Sequence, residues 1–137
     1  MRRIVLGYDG SPAADRALRR TTEVATALRA PVVVVSVAPV HVLAMRGVTT
    51  HVDPAGPPAL HEELAKDAAA RLSEHGVDAT PVTGLGRTAD SLVELADEIE
   101  ADLIVVGISS RDMVSRIFGG VSDDVAHNAH CDVLLVR

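Results

Sequence analysis

The chain has 137 residues, 13 Lys and Arg against 19 Asp and Glu for a net charge of -6, and 47% hydrophobic residues. This profile predicts a single globular domain over residues 1 to 137 with a sizeable core. Its one lysine is Lys66, and no basic window is interleaved with aromatics, which argues against a nucleic-acid surface. One Tyr, one Phe and no Trp leave little to stack on a flavin ring or an exposed base, and a lone cysteine, Cys131, excludes an intrachain disulfide framework and suits a reducing compartment.

The first apolar run, Arg3 to Tyr8, is cut by Asp9 and Gly10, too soon for a signal-peptide core or a membrane span. It reads as a strand in a protein of the cytoplasm, with no membrane partner. Ser11 and Pro12 then open a helix, the hydroxyl as cap and the proline at the first helical position. Ala17, Thr21, Val24, Ala25 and Leu28 fall on one face of it. Val32 to Val37 is a second strand whose VVVV run has no polar alternation, as in a parallel sheet covered on both faces.

From Ala38 to Gly56 there are 19 residues without a clear period. A segment that long reads as a surface insertion or as a lid. Pro58 to His75 is a second helix stopped by Gly76, Asp78 to Val82 a third strand, and Thr88 to Glu100 a third helix. Asp102 to Val106 is a fourth strand, Phe118 to Ala129 a fourth helix, and Val133 to Val136 a fifth strand. Alternating strands and helices predict right-handed βαβ units in a three-layer α/β sandwich.

Ligands of such sheets bind beyond the carboxyl ends of the strands, where strand order reverses. Three turns matter there: Gly7-Tyr8-Asp9-Gly10-Ser11-Pro12, the chain just after Val37, and Gly107 to Gly120. Asp9 is placed either to accept from a ribose hydroxyl or to hold its own turn. In the third turn Ser109, Ser110 and Arg111 follow Gly107, and Gly119, Gly120 and Ser122 open a helix. Glycines permit close backbone approach and helix-start amides attract anions, so this turn reads as a phosphate cradle.

Three stretches, IVLGYDGSPAADRAL, VTGLGRTADSLVELADEIEADLIVVG and GGVSDDVAHNAHCDVLLVR, together resemble the universal stress protein family over nearly the whole chain. The resemblance implies a flavodoxin-like, adenine nucleotide alpha hydrolase-like fold, with a five-stranded parallel sheet in the order 3-2-1-4-5. It also implies a homodimer and, in one branch, ATP or AMP at the switch point. The roles it carries over are backbone at Gly7, Tyr8 and Val37 for adenine and Asp9 for ribose. Gly107, Ser110, Gly119, Gly120, Val121 and Ser122 would hold the phosphates.

The nucleotide-binding branch has Gly-x-x-Gly, nine residues, then Gly-Ser or Gly-Thr, and this chain departs from it. Ser110 stands at the second glycine. With Gly119 as the third, the spacer Arg111 to Phe118 is eight residues and Gly120 takes the hydroxyl position. With Gly120 as the third, Val121 takes it. A β-carbon at Ser110 costs about 1 kcal/mol if glycine geometry is needed there. A lost hydroxyl contact removes roughly 0.5 to 3 kcal/mol, so binding is expected to weaken by about one to three decades.

Other signals are weaker. Gly84-Leu85-Gly86-Arg87-Thr88-Ala89 matches a dinucleotide fingerprint, but the next strand ends Val105-Val106-Gly107 without the acid that holds the ribose. His127, His130 and Cys131 lack a closed metal-site spacing and suit the negative end of a helix. No catalytic triad or carboxylate pair can be assigned, so at most weak ATP hydrolysis is expected. The sequence thus points to an ATP-binding stress sensor or regulator, with or without Mg, dimerising through strand Val133 to Val136. The alternative is a dimeric interaction module of the same fold that binds no nucleotide.

Overall fold

The computed structural model describes residues 2–38, 41–45, 48–52, 57–109 and 120–137, with the backbone alone for 41–45 and 48–52. Strand β1 (Ile4–Gly7) leads to helix α1 (Pro12–Leu28), then β2 (Val32–Ala38), β3 (His41–Met45), β4 (Val48–Val52) and α2 (Pro58–Glu74). There follow β5 (Ala79–Leu85), α3 (Thr88–Glu98), β6 (Leu103–Gly107), α4 (Val121–Asn128) and β7 (Asp132–Val136). Five strands form one sheet in the order β5-β2-β1-β6-β7, every pairing parallel. Numbered within that sheet, this is the expected 3-2-1-4-5.

The strand alternation sorts the core into two layers. Ile4, Leu6, Val32 and Val34 face one way and are buried with Ala17 and Leu18 of α1 and Ala68 and Leu72 of α2. Val5, Val35 and Val37 face the other way, onto Leu92 and Ala96 of α3 and Val125 of α4. Each fully buried Val, Leu or Ile contributes about 1.5–3 kcal/mol, which is why the unalternated valine run fits only an interior strand. Helix α1 begins as its sequence predicts, with Ser11 Oγ accepting from Ala14 N at 3.1 Å and proline in the first turn. It ends on Arg29 in the left-handed region, φ 52, whose N–H closes back on the last turn.

The 38–56 segment is not simply a loop. It carries an antiparallel hairpin, β3 with β4, paired from His41↔Val52 to Met45↔Val48, and this small sheet stands apart from the main one. Strict strand–helix alternation is therefore broken between β2 and α2. Leu43, Thr49, Thr50 and Val52 belong to two five-residue runs of mixed polarity whose pairing, rather than any one run, makes them strands. Strand β5 runs to Leu85, beyond the expected Val82, because its pairing with β2 continues to Ala38↔Leu85. The fourth helix is described from Val121; Phe118 lies outside the described residues.

Candidate nucleotide-binding site

A cavity of about 360 Å³ opens at the carboxyl end of the sheet, where β1 gives way to β2 on one side and β6 on the other. Its size is that of a small-molecule site. Three helix starts face it: Ser11, Ala13 and Ala14 at α1, Thr88 at α3, and Gly120, Val121 and Ser122 at α4. Of the residues expected from sequence, Gly7, Tyr8, Asp9, Val37, Gly107, Gly120, Val121 and Ser122 line it. Ser110 and Gly119 lie outside the described residues.

The glycines have different reasons to be there. A β-carbon on Gly107 would overlap the carbonyl of Ala13, so this glycine lets the first turn of α1 sit on the end of β6. Gly10 has φ +80, and a β-carbon there would also come within 2.9 Å of Leu64. Gly7 is bounded by the methyls of Leu92 and Val106 at 3.0 and 3.2 Å, a softer limit.

The polar groups of the β1–α1 turn are largely engaged locally. Tyr8 N donates to Val35 O at 2.9 Å, so the sheet already uses the amide expected to face a base. Asp9, exposed at the rim, accepts from Ser11 N at 2.9 Å, which is the turn-holding role. The Tyr8 phenol points away, donating to Asp15 Oδ1 at 2.7 Å, while Arg71 donates to both the phenol and that carboxylate at 3.0 and 3.1 Å. Burial, then the Asp15 hydrogen bond and charge, push Tyr8 up to about 12. The bond from Tyr8, aided by Arg71, holds Asp15 below the usual carboxylate range.

Val37 differs. Residues of a strand turn their backbone polar groups to alternate sides; Val35 O faces β1, and Ala38 O faces β5, where it accepts from Gly86 N. Val37 N–H and C=O therefore turn toward β1, beyond Gly7↔Val35, the last pair in the β1–β2 register. Across the cavity, α4 starts on Gly120 without a side-chain cap, and the buried Ser122 stands in its first turn.

Other lining residues were not among those expected of the site. His61, in the first turn of α2, is buried with its Nδ1 2.8 Å from the Oγ of the buried Ser36. Thr88 lines the cavity from the dinucleotide-like stretch. That stretch itself is the end of an edge strand, a turn at Gly86 with φ +110, and a helix start.

Among the described residues no three His, Cys, Asp or Glu come together as a metal site. His130 instead pairs with Asp97 at 3.0 Å, and burial, with Asp132 and Asp97, pushes the Cys131 thiol up. No described helix is long and apolar enough to cross a membrane.

The chain matches the profile of the universal stress protein family over residues 1–137. It belongs to that family. Universal stress protein Rv1636 of Mycobacterium tuberculosis is 32% identical over 142 residues, covering 98% of this chain and 94% of the relative. Among solved structures, a universal stress protein in complex with cAMP superposes with a TM-score of 0.77 at 30% identity, covering 99% and 96% of the two chains. The Archaeoglobus fulgidus universal stress protein in complex with dAMP does so with a TM-score of 0.73 at 27% identity, covering 100% and 98%.

Proposed function

We propose that the protein binds an adenine nucleotide in this cavity and acts as a sensor or regulator in a stress response in the cytoplasm. The carrying observation is that the open edge of β2 at Val37 and the uncapped start of α4 line one cavity. One residue's C=O and N–H match the adjacent N6 donor and N1 acceptor of adenine, and helix-start amides suit a phosphate. Asp9, with one oxygen on Ser11, would offer the rest of its carboxylate to ribose. Gly7, Gly107, Gly120, Val121 and Ser122 complete the pocket, with Tyr8 contributing wall rather than its N–H. The cAMP and dAMP complexes of two similar proteins support this reading.

ATP, with or without Mg, extends the reading: Ser110 and Gly119, which the family resemblance assigns to the phosphates, would serve the outer ones. Calorimetry with AMP and ATP tests both levels. Micromolar to millimolar AMP binding is expected, weakened about tenfold by Asp9→Asn; Ser122→Ala should weaken ATP more than AMP. No heat with either nucleotide at millimolar concentration would leave the interaction-module reading, which the local engagement of Asp9 and Tyr8 favours.

Assembly is part of the proposal. Strand β7 is an edge, with Leu135 36% exposed, and antiparallel pairing with the same strand of a second copy would satisfy its backbone groups. Leu135→Pro would remove a donor and disrupt the dimer. Sedimentation across a dilution series checks this, and a monomer at about 100 micromolar (roughly 5 to 6 kcal/mol of association) would refute it.

A further inference from the structure

We infer that His61, acting through Ser36, is the positioning residue that gives the cavity its preference for adenine; the inference rests on the nucleotide reading above. Ser36 is fully buried and His61 is 3% exposed, and their 2.8 Å hydrogen bond spans 25 residues of sequence. Between them the chain leaves the sheet, forms the β3–β4 hairpin and returns. Helix α2 opens on Pro57 and Pro58, a proline start with no side-chain cap, so no side-chain hydrogen bond of the cap anchors its first turn. The Ser36–His61 bond does so, tying that turn to the last residues of β2.

The bond lies next to the atoms that would read the base. Val37 N belongs to the Ser36–Val37 peptide, so the tilt of that amide follows the position of Ser36. His61 also lines the cavity, as Val37 does. An adenine with N1 and N6 on Val37 would lie against a wall held in place by this pair, and guanine, which reverses donor and acceptor at those positions, would not match the same fixed edge. Phosphate contacts on α4 would come from a different element and be common to all bases.

Calorimetric titration of the full chain with AMP and with GMP tests this, with thermal melts of each unliganded variant as the check on folding. Wild type should prefer AMP. His61→Ala should weaken AMP about tenfold and GMP much less, Ser36→Ala should do the same, and the double variant should be no worse than either single, as for one coupled unit. His61→Asn, which keeps a hydrogen-bonding atom at the Nδ1 position, should retain the AMP to GMP ratio. His61→Gln, which moves that atom to the Nε2 position, should lose it; this pair carries the test if the alanine variants fail to fold. A wild-type ratio near one, or a ratio unchanged in both His61→Ala and His61→Gln, overturns the inference alone. Wild type binding neither nucleotide overturns the nucleotide reading and the inference with it.

Discussion

The two glycine-bearing ends of the cavity look alike in sequence and differ in what they leave available. At the β1–α1 turn, Tyr8 N, an Asp9 oxygen and the Ser11 hydroxyl are bound to Val35 O, Ser11 N and Ala14 N respectively. Where α4 begins, the cap is Gly120, which brings no side chain to the helix amides. A turn that caps itself fixes geometry and offers few free donors; a helix capped by glycine leaves its first amides to solvent or to an anion. The first end serves the fold; on the nucleotide reading proposed above, the second would serve the ligand.

The strongest way to break that contrast is at Gly107, which the comparison assigns to packing. Gly107→Ala drives a β-carbon into the Ala13 carbonyl, a backbone atom that cannot rotate away, and should cost about 3 kcal/mol by overpacking. Gly7→Ala meets only methyl groups of Leu92 and Val106, which can shift, and should cost about 1 kcal/mol. Urea denaturation of the two variants measures the difference. Equal losses would mean that α1 does not rest on the end of β6 as described.

The position of Gly107 is legible in the sequence, but its reason is not, because the clash comes from a residue 94 positions earlier, Ala13, brought there by the crossover. The same distinction holds across the molecule. The valine runs announce a sheet buried on both faces, and Ser11-Pro12 announces a helix start, since both effects are local. The hairpin is not legible because β3 and β4 are short and of mixed polarity, and the sequence between them, Arg46-Gly47, is not a favoured hairpin pair. His61 carries no legible signal because a histidine in a helix has no motif; its bond to Ser36 arises where α2 meets β2. The family resemblance places the Tyr8 backbone at a ligand, and nothing local shows that its amide is taken by Val35, because that bond depends on how far the parallel register runs.

A second test concerns the anchoring of the self-contained turn. Tyr8→Phe deletes the hydroxyl shared with Asp15 and Arg71 and should cost about 1.5–2 kcal/mol at neutral pH, the lower part of the range for bonds to charged groups because Asp15 and Arg71 are partly exposed. A phenol raised from 10 to about 12 gives stability that is whole below pH 10 and is lost as pH climbs through 12. Asp15, lowered from 3.8, gives stability present above that value and lost as pH falls through its lower native value. With one tyrosine and no tryptophan, ultraviolet titration follows the phenol directly. Asp15→Asn should bring its midpoint back toward 10, and a wild-type midpoint near 10 would dissolve the anchor.

Ser11→Ala comes next, expected to cost about 1 kcal/mol as the loss of a helix cap. Asp9→Asn should leave stability nearly unchanged, since the amide oxygen can still accept from Ser11 N. Thermal melts that show a large loss for Asp9→Asn would tie the carboxylate charge itself to the fold, and so weaken its assignment to ribose.

A small gain is expected from giving the second end the device that the first already has. Gly120 sits at φ -75 and ψ -151, a backbone that serine adopts without strain, so Gly120→Ser adds a hydroxyl at the cap position of α4. Its oxygen can accept from an amide of the first turn, stabilising the unliganded protein by only a few tenths of a kcal/mol, the usual difference between serine and glycine caps. The hydroxyl hydrogen remains to donate to a phosphate lying at the helix start. The same substitution should therefore tighten AMP binding while barely moving the melting temperature. A protein that gains stability but loses AMP affinity would show that the added cap and the ligand compete for the same amides, and would place the phosphate directly on the backbone of α4 rather than on a hydroxyl beside it.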